Sequence, residues 1–318
     1  MRSELSHRFS TILQARQAFA DGANISKAIR EAEGHDVNPP HAIEIAYELQ
    51  SGSYSAGARA DPDGWRSYGQ AIAAHLSEHL NDGDSLLDAG TGEMTSLISA
   101  LQHLEVEVRA AAFDVSWSRI ACGNEFVASI DTEAQIRSFV GDMASIPLQS
   151  NSVDVAMTVH ALEPNGGREQ ELLASLMRVA RKRLVLFEPC FEAASPEAQE
   201  RMRSHGYVQG LAGHIEALGG ELVSTTEFEL STNPLNPTWV FVVEPAPAAD
   251  AVVSEADFTF ACPITGTPLR EFRGTYYSDE AGLAYPIIGS IPVLRPESAI
   301  LASLLDTEPR LPSRVDSA

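Results

Sequence analysis

The stretch Ser85 to Met94, S-L-L-D-A-G-T-G-E-M, constrains this chain more than any other. A short apolar run ends in Asp88, two glycines follow one residue apart, and the residues from Thr95 to His103 favour a helix. Glycine lets a ligand approach the backbone closely, and the start of a helix presents free N–H groups. The order strand, glycine turn, helix therefore predicts a ligand site, although such turns also serve tight packing of a helix on a sheet.

Strand and helix patterns alternate from Asp84 onward, which favours an α/β fold with a mostly parallel sheet covered on both faces. A final antiparallel pair lies between Glu221 and Glu244. The predicted strands are Ser85 to Asp88, Arg109 to Asp114, Ile136 to Val140, Val153 to Val159, Arg183 to Phe187, Glu221 to Glu229 and Thr238 to Glu244.

The rest of the chain divides around this sheet. Residues 1–80 carry apolar positions at helical spacing and predict a helical cap, in which S-G-S-Y-S-A-G at 51–57 ends a helix over 41–50. Residues 81–245 form the sheet domain, 246–257 have linker composition, 258–300 predict a small β module rich in Pro and Gly, and 301–318 form a polar tail.

Charge and cysteine usage exclude several classes of function. The formal net charge is −22, so most of the surface would repel a phosphate backbone and nucleic acid is an improbable partner. Cys122, Cys190 and Cys262 are too far apart for a disulfide framework or a metal cage. The first ten residues lack an apolar leader segment and no apolar run reaches the ~20 residues of a membrane span, which favours a cytoplasmic protein without membrane contact.

Three spaced motifs carry a family resemblance. L-L-D-A-G-T-G, A-A-F-D-V-S and the run from Val140 to Leu162 resemble the class I S-adenosylmethionine-dependent methyltransferases, over roughly residues 81–245. The resemblance implies a Rossmann-like seven-stranded sheet in the order 3-2-1-4-5-7-6, with S-adenosylmethionine, the methyl donor, across the strand ends. One position departs from the family pattern, because Met94 stands where a third glycine is usual.

The resemblance also implies which residues hold the donor. Asp88 and the glycines would line the methionine end, the carboxylate of Asp114 would accept from the ribose hydroxyls, and Asp142 would accept from the adenine amine with Met143 against the ring. His160 would face the sulfonium. The expected donor-binding residues are Asp88, Gly90, Thr91, Gly92, Asp114, Val115, Asp142, Met143 and His160.

Methyl transfer from a sulfonium is an in-line displacement, so alignment matters most and a base is needed only for some acceptors. The candidate bases are His160, Glu163 and Glu188, at the ends of the fourth and fifth strands. His160 titrates nearest neutral pH, although a lone histidine after a strand is often structural. The two glutamates could instead bind an amine or hydroxyls of a substrate.

Four further side chains are expected to reach the substrate. Tyr47 and Tyr54 lie where the cap could fold over a ligand, with core packing as the alternative. His205 and Tyr207 lie in the insertion after the fifth strand, where this fold usually builds its substrate wall.

The C-terminal module resembles the small zinc-ribbon-like activator subunit of methyltransferases, on C-P-x-T-G-x-P-L and A-Y-P-I-I-G-S-I-P-V-L over residues 260–294. Zinc needs two cysteine pairs, yet Thr265 replaces the second cysteine and none follows, so no metal site is predicted. The resemblance implies a module that covers a sheet edge of its own chain or of a neighbouring one, which would make a homo-oligomer.

These observations favour a methyltransferase that acts on a small polar molecule, such as a sugar or a specialised metabolite, at oxygen or nitrogen. Two alternatives stay open. The acceptor could be a protein or RNA, as the activator-like module suggests, or the chain could be a donor-binding scaffold whose terminal module recruits a partner.

Overall fold

A computed structural model describes residues 10–230, 233–246 and 258–306. The first nine residues, nearly all of the predicted linker and most of the predicted tail lie outside the described residues. None of the described helices is both long enough and apolar enough to cross a membrane.

Short helices precede the sheet, as predicted for the cap. They are α1 (Ile12–Ala20), α2 (Ile25–Glu33), α3 (Pro40–Leu49), α4 (Ser53–Ala60) and α5 (Pro62–Ser77). The expected break after α3 lasts only a few residues and was predicted too long, because the Ser- and Gly-rich segment forms α4. Serine and glycine have low helix propensity, and a tertiary contact at the start of α4, described below, overrides it.

The central sheet has the predicted order, β3-β2-β1-β4-β5-β7-β6, which confirms the predicted fold class. Its strands are β1 (Ser85–Ala89), β2 (Arg109–Asp114), β3 (Ile136–Val140), β4 (Val153–Val159), β5 (Ala180–Pro189), β6 (Glu221–Glu227) and β7 (Thr238–Glu244). The first five strands run parallel, and β7 is antiparallel to both β5 and β6.

Helices cover both faces of the sheet. They are α6 (Thr95–Leu101), α7 (Trp117–Ala128), α8 (Glu169–Val179), α9 (Pro196–His205) and α10 (Leu211–Ala217). Two apolar cores result, one on each face: Leu86, Leu97 and Ile120 belong to one and Leu87, Leu172 to the other. The alternation of Leu86 and Leu87 between the cores follows from the two-residue period of a strand.

The C-terminal module is a small antiparallel sheet that packs against its own chain. It comprises β8 (Arg270–Phe272), β9 (Thr275–Ser278), β10 (Leu283–Ile288), β11 (Ile291–Pro292) and β12 (Ile300–Leu301). Because β12 pairs with Leu283 and Ala284 of β10, the module's sheet reaches one residue past the boundary predicted at 300.

The module covers the β3 edge of the central sheet. Val293 forms a parallel bridge with Val140, and the N–H of Leu294 donates to the carbonyl of Val140 at 2.8 Å. The ring of Phe260 packs edge-on against Phe139 at 5.1 Å between centroids. The module therefore shares the core of the sheet domain, and it protects the edge strand β3 of its own chain. An oligomer formed through the module stays a prediction.

The former zinc positions of the resemblance hold a different network. The Cys262 thiol lies 3.1 Å from the hydroxyl of Tyr285, and the Thr265 hydroxyl lies 2.8 Å from that of Thr267. The described residues contain no group of three or more His, Cys, Asp or Glu placed to hold a metal.

Candidate functional site

A cavity of about 630 Å³ lies at the carboxyl ends of β1, β2 and β4, beneath the cap. This is where open α/β sheets bind ligands, and the volume is typical of a small-molecule site. The sheet contributes acidic and glycine residues to the wall, whereas the cap contributes aromatic ones. The aromatic residues of the cap that line it are Tyr47, Tyr54, Trp65 and Tyr68.

The glycine loop after β1 forms one wall. Gly90 has φ +78°, and a Cβ at this position would lie only 2.4 Å from the Cβ of Ala161. A side chain there would therefore clash and also strain the backbone. Met94 begins α6 with φ +55° and is fully buried, so the position of the missing third glycine keeps the left-handed conformation that glycine would favour.

Asp88, at the end of β1, is the least satisfied carboxylate of the wall. Its Oδ2 accepts from the Thr91 hydroxyl at 2.6 Å, but its buried Oδ1 has no hydrogen-bond partner among the described residues. Burial raises the pKa of Asp88 to about 7, against the lowering effect of the Thr91 hydrogen bond. An unpaired buried oxygen beside a cavity is suited to a cationic ligand group.

Asp114 ends the neighbouring strand β2 and also lines the cavity, as does Val115. Its carboxylate oxygens accept from the backbone N–H groups of Gly92 at 3.0 Å and Ser116 at 2.9 Å. Burial raises the pKa of Asp114, although Arg119 and the two N–H donors oppose the shift. Each oxygen keeps a second lone pair with which it could accept from a ligand hydroxyl.

Asp142 and Met143 follow β3 and complete this side of the wall. One oxygen of Asp142 accepts from the N–H of Ala144 at 2.9 Å, and burial raises the pKa of this carboxyl. The Met143 methyl group lies 3.3 Å from where a Cβ on Gly90 would be. The predicted donor-binding residues therefore converge on one cavity.

His160 also lines the cavity, in a backbone conformation that is unusual for histidine. Its φ is +53°, its Nδ1 is hydrogen-bonded to Glu163, and its Nε2 lies 2.9 Å from the Thr238 hydroxyl. Burial alone would lower the pKa of His160, but the hydrogen bond and charge of Glu163 outweigh burial and raise it. Burial likewise opposes ionisation of Glu163, yet the bond to His160 lowers its pKa. Glu163 is hydrogen-bonded to one ring nitrogen of His160 and the Thr238 hydroxyl to the other, so neither nitrogen is free to act as a base in this geometry.

Glu188, a predicted candidate base, is not among the residues that line the cavity. Its buried carboxylate accepts from the backbone N–H groups of Ala161, Leu162 and Glu163 at 2.9–3.0 Å. Burial raises its pKa to about 7, although His160 opposes this shift. Glu188 holds the loop after β4, which stabilises the left-handed conformation of His160.

Two of the predicted substrate residues line the cavity and two do not. Tyr47 and Tyr54 contribute to the wall from the cap, whereas His205 and Tyr207 are absent from it. The cap fixes the end of α9 in another position, because the amide of Asn38 donates to the carbonyl of His205 at 2.8 Å. The Tyr207 hydroxyl instead bonds to Glu163, behind His160.

Glu93 and Arg119 are among the wall residues that were not predicted from the sequence. Glu93 is buried and accepts from the N–H groups of Gly52 and Ser55, at 2.9 and 2.8 Å, so it holds the start of α4. The guanidinium of Arg119 packs over the rings of Tyr47 and Tyr54, 4.5 and 4.6 Å from their centroids. Their partners lie about 40 to 70 residues away in the chain, and no local pattern signals such contacts.

No family model matches this chain, and no curated protein matches it either. Solved structures show distant likeness. The geranyl diphosphate C-methyltransferase from Streptomyces coelicolor A3(2), in complex with Mg2+, geranyl diphosphate and S-adenosyl-L-homocysteine, has 15% identity and a TM-score of 0.45, over 55% of this chain and 79% of that one.

Another similar structure is the complex between the Haloferax volcanii Trm112 methyltransferase activator and a methyltransferase, with 17% identity and a TM-score of 0.47, over 63% of this chain and 97% of that one. A structure from Galdieria sulphuraria that is described as a sarcosine dimethylglycine methyltransferase has 12% identity and a TM-score of 0.44. The match covers 56% of this chain and 84% of that one. These likenesses are too distant to indicate a substrate or an activity.

Proposed function

We propose that this protein is an S-adenosylmethionine-dependent methyltransferase that acts on a small polar molecule in the cavity beneath the cap. The observation that carries the proposal is the pairing of Asp88 and Asp114 at the ends of adjacent parallel strands. Both carboxylates line one cavity, and Asp88 Oδ1 is buried there without a partner in the described chain.

The residues present fit the donor. Asp88 would hold the ammonium of the methionine part, and the glycine loop allows close approach because a Cβ on Gly90 would fill the space. Asp114 would accept from the ribose hydroxyls, and Asp142 from the adenine amine. These carboxylates are already buried in the ligand-free protein, so binding of the donor adds little to the free-energy cost of removing water from them.

The bound donor would supply an electrophilic methyl group on a sulfonium. The protein's part is then to orient the acceptor and exclude water, which is sufficient for a large rate enhancement. The cap serves this purpose, since it contributes Tyr47, Tyr54 and Tyr68 to the wall of the cavity. The hydrogen bond between His160 and Glu163 fixes the loop beside the cavity.

The covered cavity favours a small acceptor over a protein or RNA. Helices α3, α4 and α5 contribute residues to the wall, so a polymer would have to displace the cap. Asn165 and Arg168 add polar groups from the loop after β4, which suits an acceptor with hydroxyl, amine or anionic groups.

The proposal is tested by incubating the protein with methyl-labelled S-adenosylmethionine and separate sets of sugars, amines, phenols and carboxylic acids, with label transfer followed by mass spectrometry. We expect transfer to a member of one small-molecule set, and its loss in the Asp88→Asn variant. The exposed Asp36→Asn variant is a matched control that should retain activity. Transfer only to protein or RNA added in parallel would contradict the small-molecule acceptor, and donor binding without any transfer would favour the scaffold.

A further inference from the structure

Arg119 is a buried cation on the wall of the cavity. It lies in the first turn of α7 and is only 5% exposed. The guanidinium packs over the rings of Tyr47 and Tyr54, both from the cap. Stacking of this kind orients a guanidinium without using its N–H donors.

Two nitrogens of the Arg119 guanidinium remain available to a ligand. Nε and Nη2 of Arg119 are buried and have no hydrogen-bond partner among the described residues. Asp114 and Glu48 are carboxylates near enough to share an electrostatic neighbourhood with it, but neither accepts from these two nitrogens. Buried donors without partners are costly, so such a group indicates a ligand acceptor in that position.

The position of Arg119 limits what that acceptor can be. A Cβ on Gly92 would lie 3.0 Å from Nη1, so the guanidinium lies over the second glycine of the loop. The unpaired Oδ1 of Asp88, at the end of β1, belongs to the wall of the same cavity. The cavity therefore presents an unpaired buried carboxylate oxygen and an unpaired buried cation on the two sides of the glycine loop, the pattern that complements the ammonium and carboxylate of an amino acid.

We infer that Arg119 binds the α-carboxylate of the donor's methionine part through Nε and Nη2, while Asp88 binds its α-ammonium. This inference rests on the proposed function and specifies its donor site. Donor binding would then also depend on the cap. Tyr47 and Tyr54 orient the Arg119 guanidinium, so the cap places this side chain where the donor's carboxylate can bind it.

Two ligands separate this role from a structural one. S-adenosylhomocysteine carries the amino acid part, whereas 5′-methylthioadenosine keeps the adenosine and the thioether but lacks both the carboxylate and the ammonium. Calorimetric titration of each ligand into wild type and the Arg119→Met variant measures the carboxylate contact directly. Thermal unfolding of both proteins shows whether the variant is folded.

We expect Arg119→Met to weaken S-adenosylhomocysteine by about tenfold to a hundredfold, the usual effect of losing a charge-assisted bidentate hydrogen bond. Binding of 5′-methylthioadenosine should change by less than about twofold. Arg119→Lys keeps the charge without the fork and should fall between wild type and Arg119→Met, which provides a test even if the methionine variant does not fold. Arg59→Met is the matched control, because Arg59 stacks on Phe126 at an exposed position of α4.

If Arg119→Met lost equal affinity for both ligands, or no affinity for S-adenosylhomocysteine, the inference would be overturned. The proposed function would still stand, because wild type would still bind the donor. If wild type bound neither ligand, the proposed function itself would fail. The two failures are therefore distinguishable in the same set of titrations.

Discussion

Arg295 of the C-terminal module and Glu44 of cap helix α3 form an ion pair, with Nη1 and Oε1 2.5 Å apart and both side chains largely buried. The same Nη1 lies 3.3 Å from the carbonyl of Val115, directly after β2. One side chain thus joins the module, the cap and the wall of the candidate donor site. Contacts with the sheet domain and with the module both hold the cap in position.

Replacing Arg295 by methionine is expected to lower the free energy of unfolding by about 3 kcal/mol, because it leaves Glu44 with one partner fewer in a buried position. Urea unfolding measures the change. The Glu44→Gln, Arg295→Met double variant should recover part of the loss. In the same module, Arg270 pairs with Asp279 at the surface, so Arg270→Met should change stability far less. An equal loss in both single variants would contradict a joining role for Arg295.

Glu93→Gln is expected to loosen the start of α4. The carboxylate accepts from the N–H groups of Gly52, Tyr54 and Ser55 and from the Ser55 hydroxyl, and an amide cannot accept all of these bonds. We expect a loss of about 2 kcal/mol in unfolding free energy and faster amide exchange at residues 52–55. Exposed Glu125→Gln removes the same charge from α7 and should leave exchange in α4 unchanged. Protection in α4 that survives in Glu93→Gln would show that another contact holds this helix.

The His160–Glu163 pair predicts a defined pH dependence. The pKa of His160 is raised from 6.5 and that of Glu163 is lowered from 4.5. Stabilisation by the raised histidine is complete below pH 6.5 and is lost as pH rises through its folded pKa, whereas stabilisation by the lowered glutamate is complete above pH 4.5 and is lost as pH falls. The pair therefore contributes most between these two values.

NMR titration of the His160 imidazole tests this assignment. In Glu163→Gln the histidine loses its carboxylate partner while burial persists, so its pKa should fall. The exposed Glu197→Gln variant is the control and should leave the His160 titration as in wild type. An unchanged pKa in Glu163→Gln would mean that the two side chains are not coupled.

Asp88→Asn is expected to weaken ligand binding and to raise the stability of the ligand-free protein. The pKa of Asp88 is raised from 3.8 to about 7, so ionisation costs the folded state stability as pH rises through this interval. Above pH 7 the asparagine variant avoids that cost and should be more stable than the ligand-free wild type by on the order of 3 kcal/mol. Unfolding at pH 5 and pH 8 measures the difference, with Asp36→Asn as the exposed control. A wild type that is equally stable relative to Asp88→Asn at both pH values would refute the raised pKa.

The sheet was predictable because its strands carry strong local signals. Strands β2, β3, β4 and β7 have the predicted bounds to the residue. In β4 the signal is a nearly continuous apolar run, as expected for a buried parallel strand. The carboxylates at the strand ends were assigned through the resemblance to the methyltransferase family, whose motifs contain them. Asp88, Asp114 and Asp142 converge because the carboxyl ends of parallel strands meet at one edge.

The parts that depend on long-range contacts were not predictable. Glu188 ends a strand like the others, but its side chain turns under the loop after β4 instead of into the cavity. Helix α4 forms in a Ser- and Gly-rich segment because Glu93 satisfies its free N–H groups. Arg119 stands in a helix turn whose sequence gives no sign of the two tyrosines that enclose it.

Calorimetric titration with S-adenosylhomocysteine tests the donor site most directly, in wild type and in Asp114→Ala. The account predicts saturable binding to one site in wild type and an affinity at least tenfold lower in Asp114→Ala, because hydrogen bonds to a charged group contribute about 1.5–3 kcal/mol. No binding to folded wild type, or equal affinities for the two proteins, would contradict the claim that these strand ends hold an adenosyl donor.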